Sequence, residues 1–451
     1  MKIKKSLVMI LTLTAILLGS NVYALTVVSG TITFDELHYG YFNTPKAVYW
    51  GGPGLEGDVH TVVDSQNNIV TAFFSQSFST NKEVYIVKFN SQLNELWNTT
   101  WGNTDNATVA GVFIDKSNYI YVVGSIYSQV VPSRYIHNVF ALKFRPNGSL
   151  LWEAIHQTPN LDEVATSGVF DQNSNTFFVV GTTNSSSGSM FVKKFSKSGN
   201  YLTTFYYGSP SPSEELEVGG ATVDDNGDIF IAALTNKTLW GNPTNYVLVK
   251  LNGTTGNLAW NVTSGALELT TRGVDVAVDN GIAYLVGDLI SSAAPSNQYT
   301  FLVSINATTG VINWNTTLDY SPDYQYSAGI TVNRHGNPVI TGFVNAATAD
   351  VFTAEFNTTG SLLWNHTFVK AFSDVASDII SKDDYLYIAA TAYNGTSLKD
   401  QVMLLIYEDN YTFDFPTQGP FGTIFGIIFG VIVCVFSLVL ITGLLYTYWK
   451  K

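Results

Sequence analysis

Short runs of aliphatic and aromatic residues, broken by clusters of Asn, Asp, Gly and Ser, fill residues 46–407. Apolar runs this short, rich in β-branched and aromatic residues and bounded by turn residues, predict strands joined by turns, not helices. The pattern also repeats. An apolar strand ending in Lys-Phe or a similar pair occupies 84–89, 139–144, 190–195, 246–251, 300–305, 351–356 and 401–406, at intervals of 50 to 56 residues. A turn and a strand of the type Leu-x-Trp follow. The tryptophans keep the same beat at Trp50, Trp97, Trp152, Trp260, Trp314 and Trp364, with Thr203 in the remaining unit, so these six are read as structural. Next comes a strand of small residues, as in 110–115, 219–224 and 328–332, then a tight turn and a fourth strand, as in 120–124, 176–181 and 282–287. Four strands in about fifty residues make a propeller blade.

Crowding near a central axis favours Gly and Ala, which places the small-residue strand innermost and the tryptophan strand outermost. The repeat region begins on a tryptophan strand, 46–50, and ends on that strand's partner. The seventh blade is therefore expected to take three strands from 375–407 and its outer strand from 46–50, closing the ring without a free edge between its ends. The predicted fold is all-β, a seven-bladed β-propeller with four-stranded blades. An eight-bladed ring needs a set of strands that the sequence lacks. Residues 25–45 are expected to form an extra strand or a strap.

The two ends carry different signals. Residues 1–24 have a basic start, an apolar stretch and small residues before Ala24, the pattern of a secretory signal peptide. Residues 421–449 contain neither charge nor proline and exceed the ~20 residues that cross a bilayer core. They predict a single C-terminal transmembrane helix, preceded by a linker at 408–420. With Lys450 and Lys451 as a cytoplasmic tail, the propeller at 46–407 is placed outside the cell membrane. All 35 acidic residues lie in the exported part, which makes nucleic acid a poor partner. The sole cysteine, Cys434, lies in the apolar span, so no disulfide is available outside. Thirteen Asn-x-Ser/Thr sequons are glycosylation candidates: Asn98, Asn106, Asn147, Asn184, Asn236, Asn252, Asn261, Asn306, Asn315, Asn357, Asn365, Asn394 and Asn410. Together with the missing disulfides they point to a prokaryotic, archaeal-type surface.

Thr-Gly-x-x-x-Trp occurs at Thr255 to Trp260, Thr309 to Trp314 and Thr359 to Trp364. It resembles the tryptophan-docking repeat of pyrroloquinoline quinone dehydrogenases. The whole unit, with its Gly-x-Leu-x-Trp and its Asp/Asn-Gly hairpins, is similar to the propeller repeats of prokaryotic cell-surface proteins. These resemblances cover 46–407 and imply a fold; for activity, the first implies a quinone-dependent oxidoreductase. The chain departs from that family in lacking the eighth blade and adjacent ectodomain cysteines, and in having Asn252, Asn306 and Asn357 where the docking motif has Asp.

Catalytic motifs do not emerge from the residues. The six histidines are scattered, and neither a nucleophile elbow nor a phosphate loop is present. Asp224 to Asp228 resembles the opening of a calcium loop, but Thr235 stands where the closing Glu belongs, and a hairpin turn is the better reading. No cofactor or metal is predicted; pyrroloquinoline quinone and calcium belong to the alternative reading, and a glycan-cleaving enzyme using paired carboxylates is a third. Strand order puts the second-to-third and blade-to-blade connections on one variable face, where a ligand is expected. Its candidates are Trp240, Trp101, His156, Asp162, Glu163, Glu214, Glu215, Glu217, Arg272, Asp319, Tyr320, Asp323, Tyr324 and Tyr326. The function expected is binding of an extracellular protein or glycan.

Overall fold

The computed structural model describes residues 26–28, 31–33 and 45–408, apart from connections at 103–104, 132–133, 187–188, 209–213, 238–244, 264–268, 292–297, 320–323, 346–347, 370–372 and 395–398. The predicted signal peptide, linker, transmembrane segment and tail lie outside the described residues. Seven antiparallel sheets of four strands form an all-β, seven-bladed propeller. Blade 1 runs outward from Glu56–Val63 through Ile69–Ser75 and Glu83–Phe89 to Glu95–Trp101. Blades 2 to 6 begin at Asn106–Ile114, Glu163–Asp171, Glu214–Val223, Leu269–Asp279 and Tyr324–Val332, and end at Leu150–His156, Tyr201–Tyr207, Leu258–Thr263, Ile312–Leu318 and Leu362–Phe368. Blade 7 takes Asp374–Lys382, Tyr385–Asn394 and Lys399–Glu408 from the end of the repeat region and Lys46–Trp50 from its start, with Lys46 opposite Ile406 and Trp50 opposite Val402. A separate hairpin pairs Thr26–Val28 with Thr31–Thr33.

Apolar side chains meet between blades, not in one central core. Val70, Ala72, Val84 and Ile86 of blade 1, for example, pack on Val122, Phe140 and Leu142 of blade 2. A strand sandwiched this way is buried on both faces, which is why the second and third strands read as nearly continuous apolar runs. The outermost strands have one free face and alternate accordingly, as in Glu95–Trp101.

Two side chains that recur in several units fasten a blade to the next. The Lys of Lys-Phe reaches the carbonyl of the following blade's turn: Lys88 to Pro146 O (3.4 Å), Lys194 to Gly253 O (2.7 Å) and Lys250 to Ala307 O (3.1 Å). Lys88 also pairs with Asp64 at 2.7 Å, and Lys250 with Asp228 at 3.0 Å. Buried ammonium groups are thus neutralised within their own blades. The tryptophans lie flat on glycines of the next blade's turn, Trp97 on Gly148, Trp260 on Gly310 and Trp314 on Gly360, and each of these glycines has a positive φ.

One assignment of the repeat holds with an addition, and one needs correction. Thr203 does stand opposite Lys194, where Trp97 stands opposite Lys88, but Phe205, two residues on, covers Gly256. Trp50 is not the counterpart of Trp97; Lys46 holds that register, and Trp50 matches Trp101. Both pack on the next blade, Trp50 against Phe73 (5.3 Å) and Trp101 against Phe140 (4.9 Å). Each donates its indole N–H to a glutamate there, Trp50 to Glu95 (3.0 Å) and Trp101 to Glu153 (2.6 Å).

Candidate functional site

Every innermost strand breaks register once, at a bulge near its middle. The residue at or just after the bulge, at one equivalent register in all seven strands, alternates around the ring. It is His60, Ser167, Asp275 and Asp378 in blades 1, 3, 5 and 7, and Gly111, Gly220 and Gly329 in blades 2, 4 and 6. Three of the four side chains accept a backbone N–H from the next blade: Ser167 Oγ from Ala221 (3.1 Å), Asp275 Oδ2 from Ile330 (3.1 Å) and Asp378 Oδ2 from Thr61 (3.0 Å). The glycines leave room, since a Cβ on Gly220 would collide with the Asp275 carboxyl. Seven is odd, so the alternation fails once, at the junction of blades 7 and 1. There His60 Nδ1 lies 3.9 Å from Asp378 Oδ2.

All of these residues except Gly329 line an axial channel of about 550 Å3, otherwise walled mainly by Gly, Ala, Val, Ile, Thr and Ser, with Asp279 and Asn333 as further polar groups. Burial pushes the Asp275 carboxyl up to about 7, against the amide bonds it accepts and with help from Asp378. Both aspartates are thereby occupied in holding main chain. No Lys or Arg is among the described lining residues, so the channel offers no cationic partner for the carboxylates of a quinone of the pyrroloquinoline type. At the hairpin first weighed as a calcium loop, Asp224 Oδ1 accepts the N–H groups of Asn226 and Asp228, and the Lys250 ammonium sits 3.4 Å from Asp224 and 3.0 Å from Asp228. A lysine fills the place a cation would take.

On the variable face, two nominated residues converge and a third, unforeseen one unites them. Glu163 opens the innermost strand of blade 3 and lies 3.1 Å from Lys193, both of them buried. In the other six blades the Lys193 position holds Val87, Leu142, Val249, Val303, Ala354 or Leu405. Burial lowers the Lys193 pKa, opposed by Glu163. His156 stacks on Tyr201 at 4.0 Å, and burial, then the Lys193 charge, brings its pKa down to about 4. Lys193 also bonds Thr158 in the connection above (2.8 Å), so the cluster clamps that connection.

Asp162 turns the other way. Its Oδ1 accepts the His137 backbone N–H at 2.6 Å and lies 2.9 Å from His137 Nδ1, while its own N–H donates to Asn184 (3.0 Å). His137 belongs to an overhanging hairpin, Ile120–Val131 with Arg134–Phe144, whose strands of 12 and 11 residues compare with 7 and 7 in blade 1. Tyr127 and Tyr135 stack on it with centroids 5.2 Å apart, 39% and 47% exposed, and His137 lies 4.6 Å from Tyr127.

The remaining candidates do not join these clusters among the described contacts. Trp101 is committed to the blade 1–2 contact. Glu217, Asp319 and Tyr324 are exposed, and Tyr326 stacks on Phe343 at 4.7 Å. Glu214 and Glu215 lie in the innermost strand of blade 4, and the Arg272 backbone pairs with Asp288. Trp240, Tyr320 and Asp323 lie outside the described residues.

No protein-family model matches the chain, and no curated protein matches it. Solved structures do. A protein of unknown function from Dyadobacter fermentans is 7% identical, covering 81% of this chain and 99% of the other, at a TM-score of 0.50. Polysaccharide lyase Uly1 is 11% identical, covering 80% and 90%, at 0.51. Quinohemoprotein alcohol dehydrogenase from Comamonas testosteroni is 9% identical, covering 84% and 78%, at 0.45. At such identities the likeness is one of fold.

Proposed function

We propose that this protein is a membrane-anchored extracellular propeller that binds a glycan or protein through its variable face. The observation that carries this reading is the Tyr127–Tyr135 platform. A stacked, half-exposed pair of aromatic rings on a hairpin longer than its blade requires has no packing purpose of its own. Such rings supply apolar area at little entropic cost and accept a pyranose face or another aromatic ring. The hairpin is also braced, through His137, Asp162 and Asn184, by the next blade, which keeps the rings ordered before a ligand arrives. The apolar stretch 421–449 and the basic, then apolar, start of the chain support export and anchoring.

The test is binding by the exported protein to an array of polysaccharides and surface-protein fractions, repeated with Tyr127→Ala/Tyr135→Ala. The expected result is a ligand whose affinity falls at least about tenfold in the double variant, equivalent to about 1.4 kcal/mol, while the melting temperature is unchanged. A ligand bound equally by both proteins refutes the platform, and a chain that stays inside the cell refutes the surface assignment.

A further inference from the structure

Neither the ring nor the binding face accounts for the sequons, and the structure sorts eight of them into two recurrent sets. Asn147, Asn252, Asn306 and Asn357 close the turn between third and outermost strands, and each side-chain Oδ1 accepts a backbone N–H two residues on, at 3.0 to 3.2 Å. Turn chemistry explains an asparagine there. Asn98, Asn261, Asn315 and Asn365 instead occupy one register of the outermost strand in blades 1, 4, 5 and 6, opposite Val87, Val249, Val303 and Ala354. All four are exposed. Asparagine is depleted from strands, and the same register holds Glu153 in blade 2 and Thr204 in blade 3, so neither backbone nor packing demands it. Among the described residues the outermost strand is hydrogen-bonded along one edge only, and an open edge is a template for pairing with another chain.

We propose that Asn98, Asn261, Asn315 and Asn365 carry N-linked glycans, and that these sugars bar the open blade edges to strand addition by a second copy. In the transfer, the amide Nδ2 displaces the phosphate of a lipid-linked sugar from its anomeric carbon; a C–N bond forms, the C–O bond to phosphate breaks, and Nδ2 gives up one proton. Nδ2 of Asn98 donates to Glu95 (2.7 Å) and that of Asn261 to Tyr207 (2.9 Å). An amide nitrogen carries two hydrogens, so each bond can persist after the other hydrogen is replaced.

The inference rests on the export half of the proposed function. The full chain is expressed in a host that attaches N-glycans to exported proteins, located by protease shaving of intact cells, and mapped by glycopeptide mass spectrometry. Sugars are expected at the four strand positions. Replacement by Asn98→Gln, Asn261→Gln, Asn315→Gln and Asn365→Gln is expected to at least about double the particle mass in detergent, as an added copy requires, with circular dichroism and Tyr127-dependent binding unchanged. Enzymatic deglycosylation of the folded protein avoids any effect on folding and is expected to give the same association. An exported chain unmodified at these asparagines, or a monomer after deglycosylation, overturns this inference and leaves the binding face standing. An unexported chain overturns both.

Discussion

Asp275 offers the sharpest quantitative test of the ring. Its carboxyl is enclosed by the inner strands, accepts two main-chain amides, and titrates near 7 instead of its ordinary 3.8 because burial disfavours the charge. Below about pH 4 the group is neutral folded or unfolded. Between 4 and 7 the unfolded chain releases its proton while the folded one retains it, so the stability present at low pH is progressively lost, and the loss is complete once the folded group ionises. The gap between 3.8 and about 7 sets a ceiling of about 4 kcal/mol. Asp275 also lines the channel, where water reaches it, so about 1–2 kcal/mol is the working figure. In Asp275→Asn that titration is gone. One amide acceptor remains, and losing the other costs about 1 kcal/mol at every pH. Guanidinium denaturation at pH 4.5 and pH 8 is therefore expected to show the variant weaker at the acid end and level with, or ahead of, the wild type at the alkaline end. A difference between the two proteins that stays constant across this range to within about 0.3 kcal/mol refutes the account.

Gly310→Ala, with φ at 74° and its new Cβ 2.9 Å from the Trp260 indole, is expected to lower stability by about 2–3 kcal/mol, whereas Gly281→Ala, at a φ of 77° with open space around it, loses only about 1–2 kcal/mol; equal losses by denaturant titration would show that the indole contact contributes nothing. Lys193→Met strands the buried Glu163 carboxylate and is expected to cost about 3–5 kcal/mol, most of it regained in Lys193→Met/Glu163→Gln. Calorimetry of both variants checks this, and a single variant as stable as the wild type would contradict the clamp.

The blades were legible because each repeats the same order of apolar strands and turn chemistry, so seven copies reinforced one reading. Errors entered where a copy departs from the rest. Trp50 comes 47 residues before Trp97, short of the 50 to 56 that separate the third strands, and that shortfall already marked the change of register. The Lys193-Lys194 pair, where every other unit has an aliphatic residue in place of Lys193, marked the buried clamp in the same way. The Tyr127–Tyr135 platform lies on strands rather than on a loop, and its signal was length: a strand-like run through 120–131 that resumes after only two residues, longer than its counterparts in blade 1. By contrast, no periodicity could announce the exchange of side chains and glycines around the axis. It involves one residue per blade and acquires meaning only when neighbouring blades are seen to share an amide.

The seam in blade 7 bears on how the chain comes to be made. Lys46 finds Ile406 only after six complete blades have been synthesised between them, and closing so long a loop carries an entropic cost that nearby contacts do not. A ribosome that stalls before Lys399 leaves Lys46–Trp50 without a partner and the flank of blade 1 bare, a ready substrate for proteases. Blade 7 is therefore complete only when the first and last repeat strands are both present.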